Sequence, residues 1–378
     1  MIPGDFDYYL FGTHVRFGDG VANALGSELA AMELRRPVVL TQDRIAATPG
    51  YAGMMRSLKG MDIAERRGIP PHSSVSLIET IAPEVIAFRA DCLVAVGGGS
   101  VADTAKALAL LVAEGGRLAD HVTRFEPPHT VHIPRRTRPK LPVIAVPTTA
   151  SGAETTSSFG VRDDGGDKRM FWNRQVSSTS ILIDPLMSGE VPQDMLRETA
   201  MNGLAHCVEG LYSKGRSVVS DALAMQAIAL LRQAWESGHP AAERRLILAA
   251  AHLSGMVLAM ARSCLHHAIC HVIGARLNLP HGKVNTIILP HAIRFNESAA
   301  ASMLAPVVAA IPEAESLSAW IARTAERLAM PRRLRDLGVP EAALPDIAGR
   351  VMTERGLAFN PRPVADAGEV LAILRQAF

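Results

Sequence analysis

Aromatic residues are scarce in this chain, at 4% of 378 positions, which argues against the stacking platforms that hold single-stranded nucleic acid. A one-sided charge is also missing. The 39 Lys+Arg and 37 Asp+Glu leave a net charge of +2, so neither a nucleic-acid surface nor a membrane surface is expected. Cysteine occurs only at Cys92, Cys207, Cys264 and Cys270, never in C-x-x-C spacing; a reduced, cytoplasmic protein is the expectation. The start, Met-Ile-Pro-Gly-Asp-Phe-Asp, has no basic or apolar region of the kind a secretory signal needs. The longest apolar stretch, Leu246 to Ala261, lies between Arg245 and Arg262 and is broken by His252. It falls short of the roughly 18 residues of a membrane span and reads as a helix buried on all sides. A G-x-G-x-x-G fingerprint is absent too, which removes support for the standard dinucleotide fold.

What is present divides the chain in two, as its length suggests. Short apolar runs alternate with helical patterns in the first half: Val38–Thr41, Val75–Ile78, Cys92–Val96, Val143–Val146 and Ile181–Ile183 read as strands. Continuous apolar strands separated by helices imply a parallel sheet covered on both faces. A Pro- and Arg-rich segment, Phe125 to Pro142, reads as an exposed loop. After Asp184-Pro185 the strand-like runs nearly vanish, and Ala/Leu/Met-rich segments of helical period take over, such as Asp221–Trp235 and Glu243–Ala261. The expected division is an α/β domain over 1–187 and an all-helical domain over 188–378.

One candidate site lies in each half. Val96 leads into Gly97-Gly98-Gly99-Ser100 and then an apparent helix with Asp103 and Lys106. A strand entering consecutive glycines and a helix exposes backbone amides that cradle phosphate, and Ser100 suits a helix cap or a phosphate contact. A tight turn has the same look. A second loop, Pro147-Thr148-Thr149-Ala-Ser-Gly152-Ala-Glu154, follows another buried strand, where open sheets bind ligands; its threonines also suit plain turn chemistry.

The second half holds Asn202-x-x-x-His206 with Glu209 one turn on, then His266-His267-x-x-Cys270-His271 and His281. Positions i and i+4 share a helix face, about 5–6 Å apart. Converging neutral imidazoles suit a divalent transition metal, or proton transfer to a reacting oxygen. A single histidine in an apolar helix is usually a bonded core residue, but clustering favours a shared site.

In this order and spacing, the segments Gly97-Gly-Gly-Ser-x-x-Asp103-x-x-Lys106, Pro147-Thr-Thr, Asn202-x-x-x-His206-x-x-Glu209, His267-x-x-x-His271, Leu279-Pro-His281-Gly, Leu289-Pro-His291 and Asn360-Pro-Arg-Pro363 resemble the iron-containing alcohol dehydrogenase superfamily over nearly the whole chain. The resemblance implies an N-terminal dinucleotide-binding α/β domain with a parallel sheet, an all-α C-terminal domain, and a cleft between them. Leu265-His-His-x-x-Cys270-His-Val-x-Gly274 and Ala205-His-Cys-Val-Glu-Gly-Leu-Tyr212 look most like the maleylacetate reductases, as does Asn202, where metal-dependent members carry aspartate.

That resemblance implies NADH or NADPH on Gly97, Gly98, Gly99, Ser100, Asp103, Thr148, Thr149 and Gln42. Gln42, standing where NAD-specific members tend to carry aspartate, would admit either cofactor, with Arg44 welcoming a 2′-phosphate. Asn202, His206, His267 and His281 match the metal positions. Asparagine offers only a neutral carbonyl, so weak or absent Fe²⁺ or Zn²⁺ is expected. His271 and His267, supported by His206, are then the candidates to polarise a carbonyl and deliver a proton. Lys283 is the first candidate for a substrate carboxylate, with Lys168, Arg169 and Arg174 behind it. The expected activity is reduction of a small oxo-acid, or of an enol-like double bond, by NAD(P)H. A metal-dependent alcohol dehydrogenase, a dehydroquinate synthase-like cyclase and a non-catalytic nucleotide-binding protein are the alternatives. A homodimer is implied by resemblance, with Tyr8 to Phe17 as the candidate pairing edge.

Overall fold

The computed structural model describes residues 6–8, 10, 12–127, 130–311 and 313–378. The described residues form ten strands: β1 (His14–Phe17), β2 (Pro37–Thr41), β3 (Ala64–Arg66), β4 (Cys92–Gly97), β5 (Arg124–Glu126), β6 (Thr130–His132), β7 (Val143–Pro147), β8 (Ser158–Arg162), β9 (Lys168–Trp172) and β10 (Ser178–Ile183). Six make one parallel sheet in the order β1-β10-β7-β4-β2-β3. Every residue of β2, β4 and β7 is buried, as continuous apolar strands under helices on both faces must be. The chain runs from β2 outward to β3 and returns to β4 on the other side of β2. The crevice beyond the carboxyl ends of β2 and β4 is therefore a topological switch point, where open sheets take their ligands.

Val75–Ile78 is not a strand. It opens the helix Val75–Phe88, whose cap Ser74 accepts from the Leu77 amide at 3.2 Å. Ile78, Ile81, Ala82 and Val85 are its buried face, a 3–4 spacing that a four-residue window conceals. The strand of that region is Ala64–Arg66, too short and polar to read from pattern. The segment expected as a loop over 125–142 carries the antiparallel ribbon β5–β6; its Pro128 and His129 lie outside the described residues. Within Tyr8–Phe17, His14–Phe17 is an edge strand, while Tyr9 and Phe11 also lie outside them.

After Ile183 the described residues form helices and turns without strands. The apolar stretch Leu246–Ala261 belongs to the helix Pro240–Ala261, and none of its residues is exposed. By length and composition this helix would pass for a membrane span. It is instead packed on the helices Gln193–Tyr212 and Val218–Glu236. Gly255 lets it touch the loop after β7: a Cβ at Gly152 would lie 2.8 Å from the Gly255 Cα. That close approach sets the helical half against the switch point.

Candidate active site

On the sheet side, β4 ends in Gly97, where a Cβ would come within 2.7 Å of Val101 Cγ2. The helix Gly99–Glu114 starts from Gly98, which has no side chain to cap it. Its first-turn amides therefore face the crevice with a partial positive charge. Gly98 and Gly99 are closely covered: a Cβ would lie 3.0 Å from Thr149 Oγ1 at one and 3.1 Å from Ser151 Oγ at the other, so those side chains would have to yield. The Thr148 amide donates to Gly97 O at 3.0 Å, while Thr148 Oγ1 is buried without a partner. An orphan hydroxyl beside an uncapped helix is the mark of a missing polar ligand. Half-buried Gln42 follows β2 across the crevice, its Oε1 accepting from Arg44 Nη2 at 3.2 Å.

Asp103 faces the β8–β9 ribbon, accepting from the Gly160 amide at 3.1 Å and standing 3.6 Å from Lys106 Nζ. Lys106 is fully buried and donates to Thr156 Oγ1 at 3.2 Å and Ser158 O at 3.0 Å. Glu154 is buried beside it, and burial raises its carboxyl to about 7. Asp103 and Lys106 thus brace the loop that carries Thr148 and Thr149.

On the helical side, Gln193–Tyr212 is buried continuously from Ala200 to Tyr212 and carries Asn202, His206 and Glu209 inward. Leu265–Leu277 presents His266, His267 and His271, and His281 begins the next long helix. The rings form a chain: His206 to His267 at 4.8 Å between centroids, His267 to His271 at 6.0 Å, His271 to His281 at 5.9 Å. Asn360, of the Asn-Pro-Arg-Pro segment, holds the start of the His267 helix by accepting from the Leu265 amide at 3.3 Å.

Glu209 organises this cluster. It accepts from the backbone amides of Cys264 at 3.0 Å and His266 at 2.7 Å, and from His267 Nδ1 at 2.5 Å. With a carboxylate on one side, His267 carries its proton on Nδ1. Its Nε2 is then a lone pair, and it faces Asn202 Oδ1, a second acceptor, at 3.2 Å. His266 donates from Nε2 to Asn285 O at 3.1 Å, turning its own Nδ1 toward His267 Nδ1 at 3.3 Å. Burial lowers every ring of the cluster. His266 falls to about 3, and His206, His267, His271 and His281 also lie below the ordinary imidazole value.

Lys168, on β9, adds to that depression at His267, His271 and His281. Its stem crosses Gly160, where a side chain would collide with it. Among the described residues no carboxylate pairs with it. Of the other candidate cations, Lys283 follows His281 by two residues and lies near Glu198, whose burial-raised carboxyl it lowers, Arg169 is bound by Asp163 at 2.6 Å, and Arg174 is exposed. Among the described residues, the donors that close to within 4.8 Å of one another are Glu209, His266 and His267, but the Glu209 oxygens already accept three N–H groups. Glu209 is better placed as the carboxylate behind a histidine than as a metal ligand. His72, in left-handed backbone at φ 59°, lies near Lys168. Neither His72 nor Glu354, which stands 3.5 Å from His271 Nδ1, carried a signal in sequence spacing.

Comparison with known proteins matches residues 12–185 to the iron-containing alcohol dehydrogenase family and 197–378 to its C-terminal part. Maleylacetate reductase 2 of Cupriavidus pinatubonensis is 32% identical over 316 residues, covering 81% of this chain and 78% of the relative. The 1,3-propanediol dehydrogenase of Klebsiella pneumoniae is 30% identical over 99% of both chains. The crystal structure of maleylacetate reductase from Agrobacterium tumefaciens superposes with a TM-score of 0.83 at 25% identity, covering 99% of this chain and 98% of that one.

Proposed function

This chain belongs to the iron-containing alcohol dehydrogenase family and is an NAD(P)-dependent oxidoreductase, and from that premise we propose that it reduces a small oxo-acid of the maleylacetate kind. The supporting observation is Lys168: a half-buried ammonium whose charge acts on the neutral imidazoles, with no carboxylate of its own among the described residues. Such a charge calls for an anionic partner, and a substrate carboxylate supplies one. An alcohol or aldehyde without a carboxylate would leave it unanswered.

The dinucleotide fits the crevice, where bare Gly98 and Gly99, the uncapped helix and the orphan Thr148 hydroxyl await a polar ligand; when bound it supplies the hydride. Thr149, Ser100 and Gln42 line the same opening, and Gln42 leaves either NADH or NADPH acceptable. On the far wall Lys168 orients the substrate by its carboxylate. His267 has its Nδ1 proton committed to Glu209, so its Nε2 accepts rather than donates. His271 is then the ring that passes a proton to the substrate, with His206 and His267 shaping the pocket. Hydride and proton together complete the reduction.

A dication also has a place to sit. The His267 Nε2 lone pair faces the Asn202 amide, a contact satisfied either by the amide NH₂ or by a cation between them. His206 Nδ1 is buried without a partner as well. Asn202, His206, His267 and His281 would hold Fe²⁺ or Zn²⁺, which would polarise a carbonyl oxygen when bound. Four neutral donors hold a dication weakly, so we read the metal as weak or absent. The domain division at 187/188, a homodimer paired through the β1 edge, and a cytoplasmic location belong to the same reading.

The test is NADH and NADPH oxidation with maleylacetate, against 1,3-propanediol oxidation, with metal content and activity measured before and after chelation. Chelator-resistant reduction of the oxo-acid with both cofactors is expected. Stoichiometric metal with chelator-sensitive alcohol oxidation as the main activity would replace this reading with the metal-dependent dehydrogenase.

A further inference from the structure

The ribbon β8–β9 carries a pair of like charges. Arg162 and Lys168 are partners in its register, so both side chains leave the same face. Like charges directly opposite on an antiparallel pair are destabilising. Both residues are half-buried, and among the described residues neither makes an ion pair. The carboxylates of the ribbon turn are engaged elsewhere or exposed: Asp163 is bound by Arg169 at 2.6 Å, Asp167 by Arg350 at 3.7 Å, and Asp164 faces solvent.

The shared face is turned to the helical half. Arg162 Nη1 donates to Asn278 Oδ1 at 2.8 Å, just past the helix Leu265–Leu277. A Cβ at Gly166, in the ribbon turn, would lie 3.5 Å from Arg162 Nη2 and 3.9 Å from Ala275 O of that helix. Lys168 turns the other way, over Gly160, and its charge acts on His267, His271 and His281. His72 joins them from the loop after β3, where the Ser73 carbonyl accepts from the Arg162 amide at 2.9 Å. Burial and the charges of Lys168 and Arg162 hold the His72 ring below the ordinary imidazole value, and the ring bonds the Leu279 main chain. A neutral ring in left-handed backbone, at φ 59°, thus stands beside two cations that lack an anion.

We propose that Arg162 is a specificity-determining residue that completes, with Lys168, a subsite for one substrate carboxylate. Lys168 serves as the point charge on the imidazole side, and Arg162 as the planar fork that fits two carboxylate oxygens. Its bond to Asn278 uses one N–H of five. A bound carboxylate removes the repulsion between the two cations and stabilises the state that holds it. The inference rests on the reductase reading only in taking the anion to be the substrate's.

The test uses the full-length enzyme and succinate, a dicarboxylate with no ketone to reduce, titrated by calorimetry. Wild type is expected to bind it. Arg162→Gln and Lys168→Gln should each weaken binding about tenfold, the value of one charged hydrogen bond, and Arg162→Lys, which keeps the charge without the fork, should lose less. Melting curves separate this role from a structural one. Without succinate, Arg162→Gln should melt no lower than wild type, because a like-charge contact is gone; with succinate, the stabilisation of wild type should shrink in the variant. In turnover the loss should fall on the KM for the oxo-acid, about tenfold by the same bond, rather than on kcat or the NADH dissociation constant. No succinate binding in wild type would overturn the assignment, as would unmoved succinate affinity and KM in Arg162→Gln, a lower melting temperature that accounts for the loss, or a change confined to NADH. If wild type binds succinate through both cations yet reduces no oxo-acid, the reductase reading fails and the subsite stands.

Discussion

The two walls of the cleft are built on opposite principles. The sheet wall offers main chain: bare glycines, an uncapped helix, a single unpaired hydroxyl. The helical wall offers side chains: buried imidazoles ordered by one carboxylate, Glu209, that accepts three N–H groups. A main-chain site fails when atoms are added, because a side chain there crowds Thr149 and Ser151. A side-chain site fails when atoms are removed, because each partner left behind is buried and unsatisfied. The first loss is expected to appear in cofactor affinity, the second in stability.

The strongest way to break the contrast is Glu209→Ala. It orphans the Cys264 and His266 amides and His267 Nδ1, at a cost of about 3–5 kcal/mol by the usual penalty for buried unpaired donors. Urea unfolding would register this as a lower midpoint, and a cost below about 1 kcal/mol would mean the helical wall does not hang on this carboxylate. Next comes Gly98→Val, which presses on Thr149. NADH affinity should fall about 100-fold, the scale of an ångström-sized misplacement, while the unfolding midpoint moves little. Fluorescence titration decides it; an unchanged dissociation constant would place the cofactor elsewhere.

Acid sharpens the comparison through its sign. His266, about 3 when folded and ordinarily 6.5, is neutral in the fold and takes a proton on unfolding. Its contribution is whole above 6.5 and is lost as the pH falls, by about 2 kcal/mol at pH 5. Glu154 on the sheet wall is raised to about 7. Its contribution runs the other way, present below 4.5 and lost as the pH climbs through 7. Melting curves from pH 8 to 5 should show His266→Asn blunting the acid decline and Glu154→Gln flattening the alkaline side. Parallel curves for wild type and both variants would contradict this. The smallest effect is Lys168→Gln, expected to raise the KM for an oxo-acid about tenfold, the value of one charged hydrogen bond, with the NADH dissociation constant unmoved. A change confined to NADH would make Lys168 a cofactor contact.

Legibility followed the range of the interaction. The core strands Pro37–Thr41, Cys92–Gly97 and Val143–Pro147 announce themselves because two covered faces demand unbroken apolar runs. The ribbons and Ala64–Arg66 do not, since edge strands of three to five mixed residues satisfy no such demand. Val75–Ile78 misled for the same reason: four apolar residues look alike in either period until Ile81, Ala82 and Val85 are counted with them. Lys168 stood behind Lys283 among the candidate cations until Gly160 opened a path for its stem.

From sequence alone came the fold class, the glycine loop and the candidate imidazoles, because period, glycine and side-chain chemistry are local and survive without coordinates. Which ring nitrogen of His267 holds its proton, which lysine acts on the imidazoles, and that Glu354 stands behind His271 were decided only by tertiary structure. Each depends on groups far apart in the chain brought together by tertiary packing, and no spacing along the sequence encodes such a meeting.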